Sequence, residues 1–166
     1  MTTAKNETTI KAEPGKQELF ITREFEAPRE LVFKAFTEAD LVAKWLGPRE
    51  MTCRMEACEN KTGGYWRFIH IAPNGIEYGF HGITHETTAP ERLIRTFEFE
   101  GMPERGHVSL ETATFEALPG NRTKLVIQAV YRSVIDRDGM MQSGMERGVN
   151  DSHARLDELF IELSVN

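Results

Sequence analysis

The stretch "REFEAPRELVFKAFTEADLVAKWLGP", residues 23–48, carries a strand, a helix, a corner, a second helix and a breaker, in that order. Working outward from it, Leu19, Ile21, Arg23 and Phe25 alternate with Phe20, Thr22, Glu24 and Glu26, which predicts a strand over 18–27. Pro28 suits the first position of a helix. Leu31, Val32, Ala35 and Phe36 then recur at helical spacing. Thr37 followed by Asp40 reads as a capping-box start for a second helix, whose apolar side is Leu41, Val42, Trp45 and Leu46. Gly47-Pro48 ends that helix. Trp45, at its last turn, has two readings. It is a plug stapling the helix pair to a sheet, or a lid whose indole faces a ligand.

Downstream, six strand-like runs follow at hairpin spacing: 51–58, 64–71, 75–86, 92–100, 107–118 and 123–132. Turn chemistry separates them, as in Pro73-Asn74-Gly75 and Pro119-Gly120-Asn121. Consecutive strands with short connections mean an antiparallel meander. A long helix is expected from Asp138 to Leu163, with Met141, Met145, Val149, Ser152, Leu156, Leu159, Phe160 and Leu163 on one face. The layout is α+β, a seven-stranded antiparallel sheet burying one face against one long helix. Residues 1–17 are polar and read as a disordered or loosely docked tail, and 18–166 as a single domain.

The chain has 166 residues, enough for one ordinary core. Its 26 acidic residues outnumber 20 Lys and Arg, for a net charge of −6, which argues against nucleic acid and anionic membrane surfaces as partners. No run approaches the ~18 apolar residues of a membrane span, and the N-terminus has no apolar signal core. Cys53 and Cys58, five apart on a strand, should face opposite sides and make no disulfide. A reducing cytoplasmic location is expected. His81 and His85 would lie ~13 Å apart along one strand, too far to share a metal. No GxSxG, HExxH, CxxC or phosphate-loop motif is present. No cofactor is expected.

Residues 23–48, together with "GGYWRFIH…PNGIEYGFHG", "APERLIRTFEFE" and "MERGVNDSHARLDELF", resemble the SRPBCC superfamily, the START/Bet v 1-like or helix-grip fold. The resemblance is nearest to its Hsp90-ATPase-activator-like (Aha1 C-terminal-like) branch. It implies a curved sheet wrapped around the C-terminal helix, a cavity between them, and two short helices closing one end. It also implies a homodimer, and an Hsp90-type chaperone as a conceivable but weak partner.

The alternating aromatics read most simply as the core wall against the helix, and alternatively as the lining of an apolar pocket. Trp66, Phe68 and His70 share one strand face, Tyr78 and Phe80 another, and Phe97 and Phe99 a third with Leu93 and Arg95. Glu111 alternates with Ala113 and Phe115. Met141, Met145 and Val149 would face this wall from the helix, methionine being suited to adaptable surfaces. Arg95 departs from the apolar residue that the resemblance implies there. If both point inward, Arg95 and Glu111 pair or face a polar ligand group; otherwise the strand lies at an edge or the alternation slips at a bulge. Gly144, Gly148 and Ser152 form a small-residue stripe, read as ligand space, as close helix–sheet packing, or as a helix that begins later. The expected function is binding of a small apolar or aromatic molecule without chemistry. A cyclase- or hydrolase-like enzyme and a chaperone-stimulating module are the alternatives.

Overall fold

A computed structural model describes residues 6–165. One antiparallel sheet holds eight strands: β1 (Thr9–Lys11), β2 (Glu18–Phe25), β3 (Thr52–Cys58), β4 (Tyr65–Ile71), β5 (Glu77–Thr88), β6 (Arg92–Phe99), β7 (Val108–Leu118) and β8 (Arg122–Val130). The spatial order is β1-β2-β8-β7-β6-β5-β4-β3. Between β2 and β3 run α1 (Arg29–Thr37) and α2 (Ala39–Trp45), and the sheet is followed by α3 (Val134–Gln142) and α4 (Met145–Val165). This is the expected α+β helix-grip layout, with strand bounds within two residues of those read from the sequence.

Four expectations need correction. The sheet has eight strands, because β1 pairs with β2 in register Thr9↔Thr22, Ile10↔Ile21, Lys11↔Phe20. Part of the supposed tail is therefore built in. Ile10 and Ala12 pack on Leu19 and Ile21, and buried Arg137 of α3 donates to the Glu13 and Glu18 carbonyls at 2.6 and 3.1 Å. Residues 1–5 of that tail lie outside the described residues. Second, the long helix is two helices. Gly144 adopts φ +87°, a left-handed conformation that favours glycine and interrupts the helix, so only Gly148 and Ser152 of the stripe lie in α4. Third, no capping box forms. Glu38 is the corner residue, while the Thr37 hydroxyl donates back to the Phe33 carbonyl at 2.9 Å. Fourth, a register shift between Met55 and Ala57 turns Cys58 onto the same sheet face as Cys53, since their partners are Trp66 and His70. Both thiols are free.

The core fills the two ends of the grip unequally. At one end α1, α2 and the C-terminal half of α4 pack on Phe25, Leu93, Phe115 and Leu125. Trp45 belongs there. It is 4% exposed, its indole N–H donates to the Ala35 carbonyl at 2.9 Å, and its ring lies 4.6 Å from that of Phe36. The following turn is strapped to α4: Gly47 N–H donates to Ser152 Oγ at 2.8 Å, and Arg155 donates to the Lys44 carbonyl at 2.8 Å. Gly47 has φ +102°, and a Cβ there would meet the His70 ring at 2.7 Å, so glycine is required twice over. Further along, Arg23 (3% exposed) reaches from the inner face of β2 to Asp157 of α4 through bonds of 2.9 and 2.6 Å.

Candidate functional site

Cross-strand register fixes which side chains meet on the inner face. Thr84 lies opposite Arg95, Arg95 opposite Glu111, Glu111 opposite Ala129, and Ala129 opposite Leu19. The next rung joins Phe97 to Ser109. On β4, Trp66 pairs with Gly82 and Phe68 with Phe80. Residues two apart share a face, so the inner wall holds Trp66, Phe68 and His70, then Phe80, Gly82 and Thr84, then Arg95 and Phe97, then Ser109 and Glu111.

Two apolar clusters flank this rung and have no member in common. One is Trp66 and Phe68 with Phe80 and Phe97, under Leu46 and Met55. Its rings run continuously: Trp66–Phe68 at 5.6 Å, Phe68–Phe80 at 4.9 Å and Phe80–Phe97 at 5.5 Å. The other is Leu19, Ile21, Ala129 and Tyr131 under Met140, Met141, Met145 and Val149. Between them sit Arg95 and Glu111. Both are only half-buried by accessible surface, although protein surrounds them. Phe80, Phe97, Met141, Met145 and Val149 are half-buried too, whereas Trp66, Phe68, Leu19 and Ala129 beside them are buried. These inner-face residues, with residual exposure beside buried neighbours, mark the candidate cleft.

Burial is the first influence on both charged groups. Burial pushes the Glu111 carboxyl up from the ordinary carboxylate range, with the Arg95 charge pulling the other way. Burial lowers the Arg95 guanidinium, opposed by Glu111 and Cys58. The two face each other across the ladder. No hydrogen bond or ion pair within 4 Å joins them among the described residues. Arg95 instead lies over the Trp66 ring at 5.6 Å. Trp66 Nε1, Thr84 Oγ1 and His70 Nε2 are buried without a hydrogen-bond partner. Burial raises the Tyr131 phenol, and the Glu111 charge adds to that.

The structure thus gathers Trp66, Phe80, Arg95, Phe97 and Glu111 on the sheet side, and Met141, Met145 and Val149 on the helix side. Phe68 lies beneath Phe80 and Trp66. His70 packs against Phe68 and Phe80 at 4.9 and 5.2 Å and lies under Gly47, its protonation pushed down to about 4 chiefly by burial. Trp45 sits in the core at the α1–α2 end, away from the cleft. Thr84 and Tyr131 escaped the sequence reading, although the alternation Phe80, Gly82, Thr84 would have placed Thr84 inward.

Two surface hollows lie elsewhere. One, of about 380 Å³, is an open dish between α1 and Ala89-Pro90, lined by Glu30, Phe33, Lys34 and Thr37. The other, of about 70 Å³, borders Lys11 to Phe20. Neither is lined by any of the buried unpartnered polar atoms, so the inner cleft is the better chemical candidate. No cluster of three metal-ligating side chains exists among the described residues.

The family model described as "Activator of Hsp90 ATPase homolog 1-like protein" matches residues 26–160, from the end of β2 into α4. The chain belongs to this family. Solved structures similar to this AHSA1-like chain include a Rhodobacter sphaeroides protein, 25% identical, covering 96% of this chain and 99% of its own, with a TM-score of 0.83. A protein from Arthrobacter aurescens is 22% identical over 93% of this chain and 91% of its own, with a TM-score of 0.84. A Silicibacter pomeroyi protein that carries the AHSA1 name is 20% identical over 89% of this chain and 98% of its own, with a TM-score of 0.71. Among curated proteins none matches. No helix of the described residues is long and apolar enough to cross a membrane.

Proposed function

We propose that this AHSA1-like domain binds a small, largely apolar or aromatic molecule in the cleft between β4–β7 and the α3–α4 junction. One observation carries the reading. Phe80 and Phe97 of one apolar cluster, and Met141, Met145 and Val149 of the other, keep residual exposure, and the two clusters share no member. A well-packed core closes such gaps, because unfilled apolar surface forfeits contact energy. Methionines on the helix side can re-pack around guests of different shape.

The test is native mass spectrometry of gently purified protein, with titration by an apolar fluorescent probe. Bound extra mass, or saturable probe binding that Val149→Trp abolishes without lowering thermal stability, is expected. Absence of both overturns the reading. A second reading, acid–base catalysis in the same cleft, is favoured by the raised carboxyl of Glu111 beside Arg95 and Tyr131. Glu111→Gln would then abolish turnover and leave probe binding intact. The family description also names Hsp90 ATPase activation. Under the binding reading, the purified chain leaves the host chaperone's ATPase rate unchanged.

A further inference from the structure

The polar groups on the cleft floor are badly matched to one another. The guanidinium of Arg95 and the indole N–H of Trp66 are donors only, and the hydroxyl of Thr84 donates one proton. Thr84 stands directly opposite Arg95, and Trp66 lies beneath its guanidinium with the indole against Gly82. Trp66 is 5% exposed and Thr84 0%, and both polar atoms lack a partner. The one carboxylate opposite Arg95 is Glu111, and the two do not touch within ion-pair distance among the described residues. Around Glu111 stand Arg95 from β6 and Tyr131 after β8, so its surroundings hold one cation and no second acid. Burial favours the neutral carboxyl, itself a donor. Arg95 and Trp66 are thus donor-only groups, one of them a cation, and among the described residues neither Glu111 nor the Thr84 hydroxyl accepts from them; two apolar clusters flank them.

We infer that the molecule bound in this cleft is an apolar acid, whose carboxylate or equivalent anionic oxygen group seats against Arg95 beside Trp66 and Thr84. This rests on the apolar-binding reading and narrows its ligand class. The anion supplies the bonded acceptor that Arg95 and Trp66 lack. The aromatic run Trp66–Phe80–Phe97 and Met141, Met145 and Val149 hold the rest of the molecule.

The experiment compares 2-naphthoate with 2-naphthamide, two probes of one shape that differ in charge, by calorimetry on the full chain. A charge-assisted hydrogen bond in such a site predicts that naphthoate binds roughly tenfold or more tightly than the amide. Arg95→Met should erase that preference while amide binding persists. Glu111→Gln should keep it or enlarge it. Equal binding of both probes by the wild type overturns the inference and leaves the apolar cleft standing. So does a preference that survives Arg95→Met, or one that appears only in Glu111→Gln, since Glu111 would then be the counterion. Failure of both probes to bind overturns the cleft reading as well. The wild-type comparison needs no variant, so the outcome does not hang on how well Arg95→Met folds.

Discussion

Trp45 is the largest side chain of the α1–α2 unit, and its surroundings give it a structural job. Its indole N–H holds the Ala35 carbonyl, and its ring stacks obliquely on Phe36, which in turn meets Phe115 edge-on at 5.3 Å. Trp45→Ala should cost ~3–5 kcal/mol, as truncation of large buried aromatics does. Trp45→Phe should cost less, because most of the volume stays. Urea denaturation of the two variants checks the order, and unaltered probe affinity in Trp45→Phe would agree with its distance from the cleft. A lid would show the reverse, an intact fold and changed binding. Two residues on, Gly47→Ala should destabilise by ~1–3 kcal/mol, because alanine adopts φ +102° only with strain and its Cβ would collide with His70. Thermal melting of that variant is the measurement.

At the scale of elements, α4 shows what was and was not legible in the chain. Its apolar periodicity from Met145 to Leu163 is local, and so are the alternations that put Arg95, Phe97 and Glu111 inward. Those needed only neighbouring residues. The break at Gly144 was signalled by Ser143-Gly144, a helix-ending pair overridden by the periodicity running through it. The turning of Cys58 had no local mark, because a bulge is decided jointly by two strands. The juxtaposition of Thr84, Arg95 and Glu111 depends on register across three strands, and no single segment specifies it. The orphaned Trp66 Nε1 and Thr84 Oγ1 follow from the same register. Gly148 is the glycine of the small-residue stripe left within α4, and close packing does not demand it. A Cβ there would meet Pro48 at 3.9 Å, ordinary contact, with no positive φ to accommodate. Gly148→Ala should therefore stabilise the protein by ~0.5–1 kcal/mol through helix propensity. A higher midpoint in denaturant with unchanged slope is the expected result, and a loss of stability would show that the close approach of α4 to the turn matters after all.

At the scale of the whole molecule, α4 and β4 each bury a histidine, and the two respond to pH in the same direction over one window. His153 of α4 is 4% exposed, wedged edge-on against Phe25 at 5.4 Å, with its Nδ1 hydrogen-bonded to Thr8 Oγ1 at 2.7 Å. Burial holds its protonation down to about 3, and the Arg23 charge adds to that. His70 is held down to about 4, by burial first and then by Arg155. Unfolded histidine protonates near ~6.5. Below that value the unfolded chain binds protons that the folded one refuses, so stability is full above pH ~6.5 and falls as pH drops toward 4. Each histidine contributes a slope approaching ~1.4 kcal/mol per pH unit in that interval. Glu111 works against them, since its raised carboxyl lets the folded state take up a proton first. The net expectation is that unfolding free energy decreases between pH 6.5 and 4.5, measured by denaturant titration at fixed ionic strength. His153→Gln should flatten that decline by about half while lowering stability at pH 7, because the imidazole's packing on Phe25 is lost. Glu111→Gln should steepen it, by removing a carboxyl whose proton uptake favours the fold. A decline unchanged in His153→Gln would mean that the imidazole is protonated in the folded chain, and that the Arg23 and Phe25 surroundings do not exclude the charge.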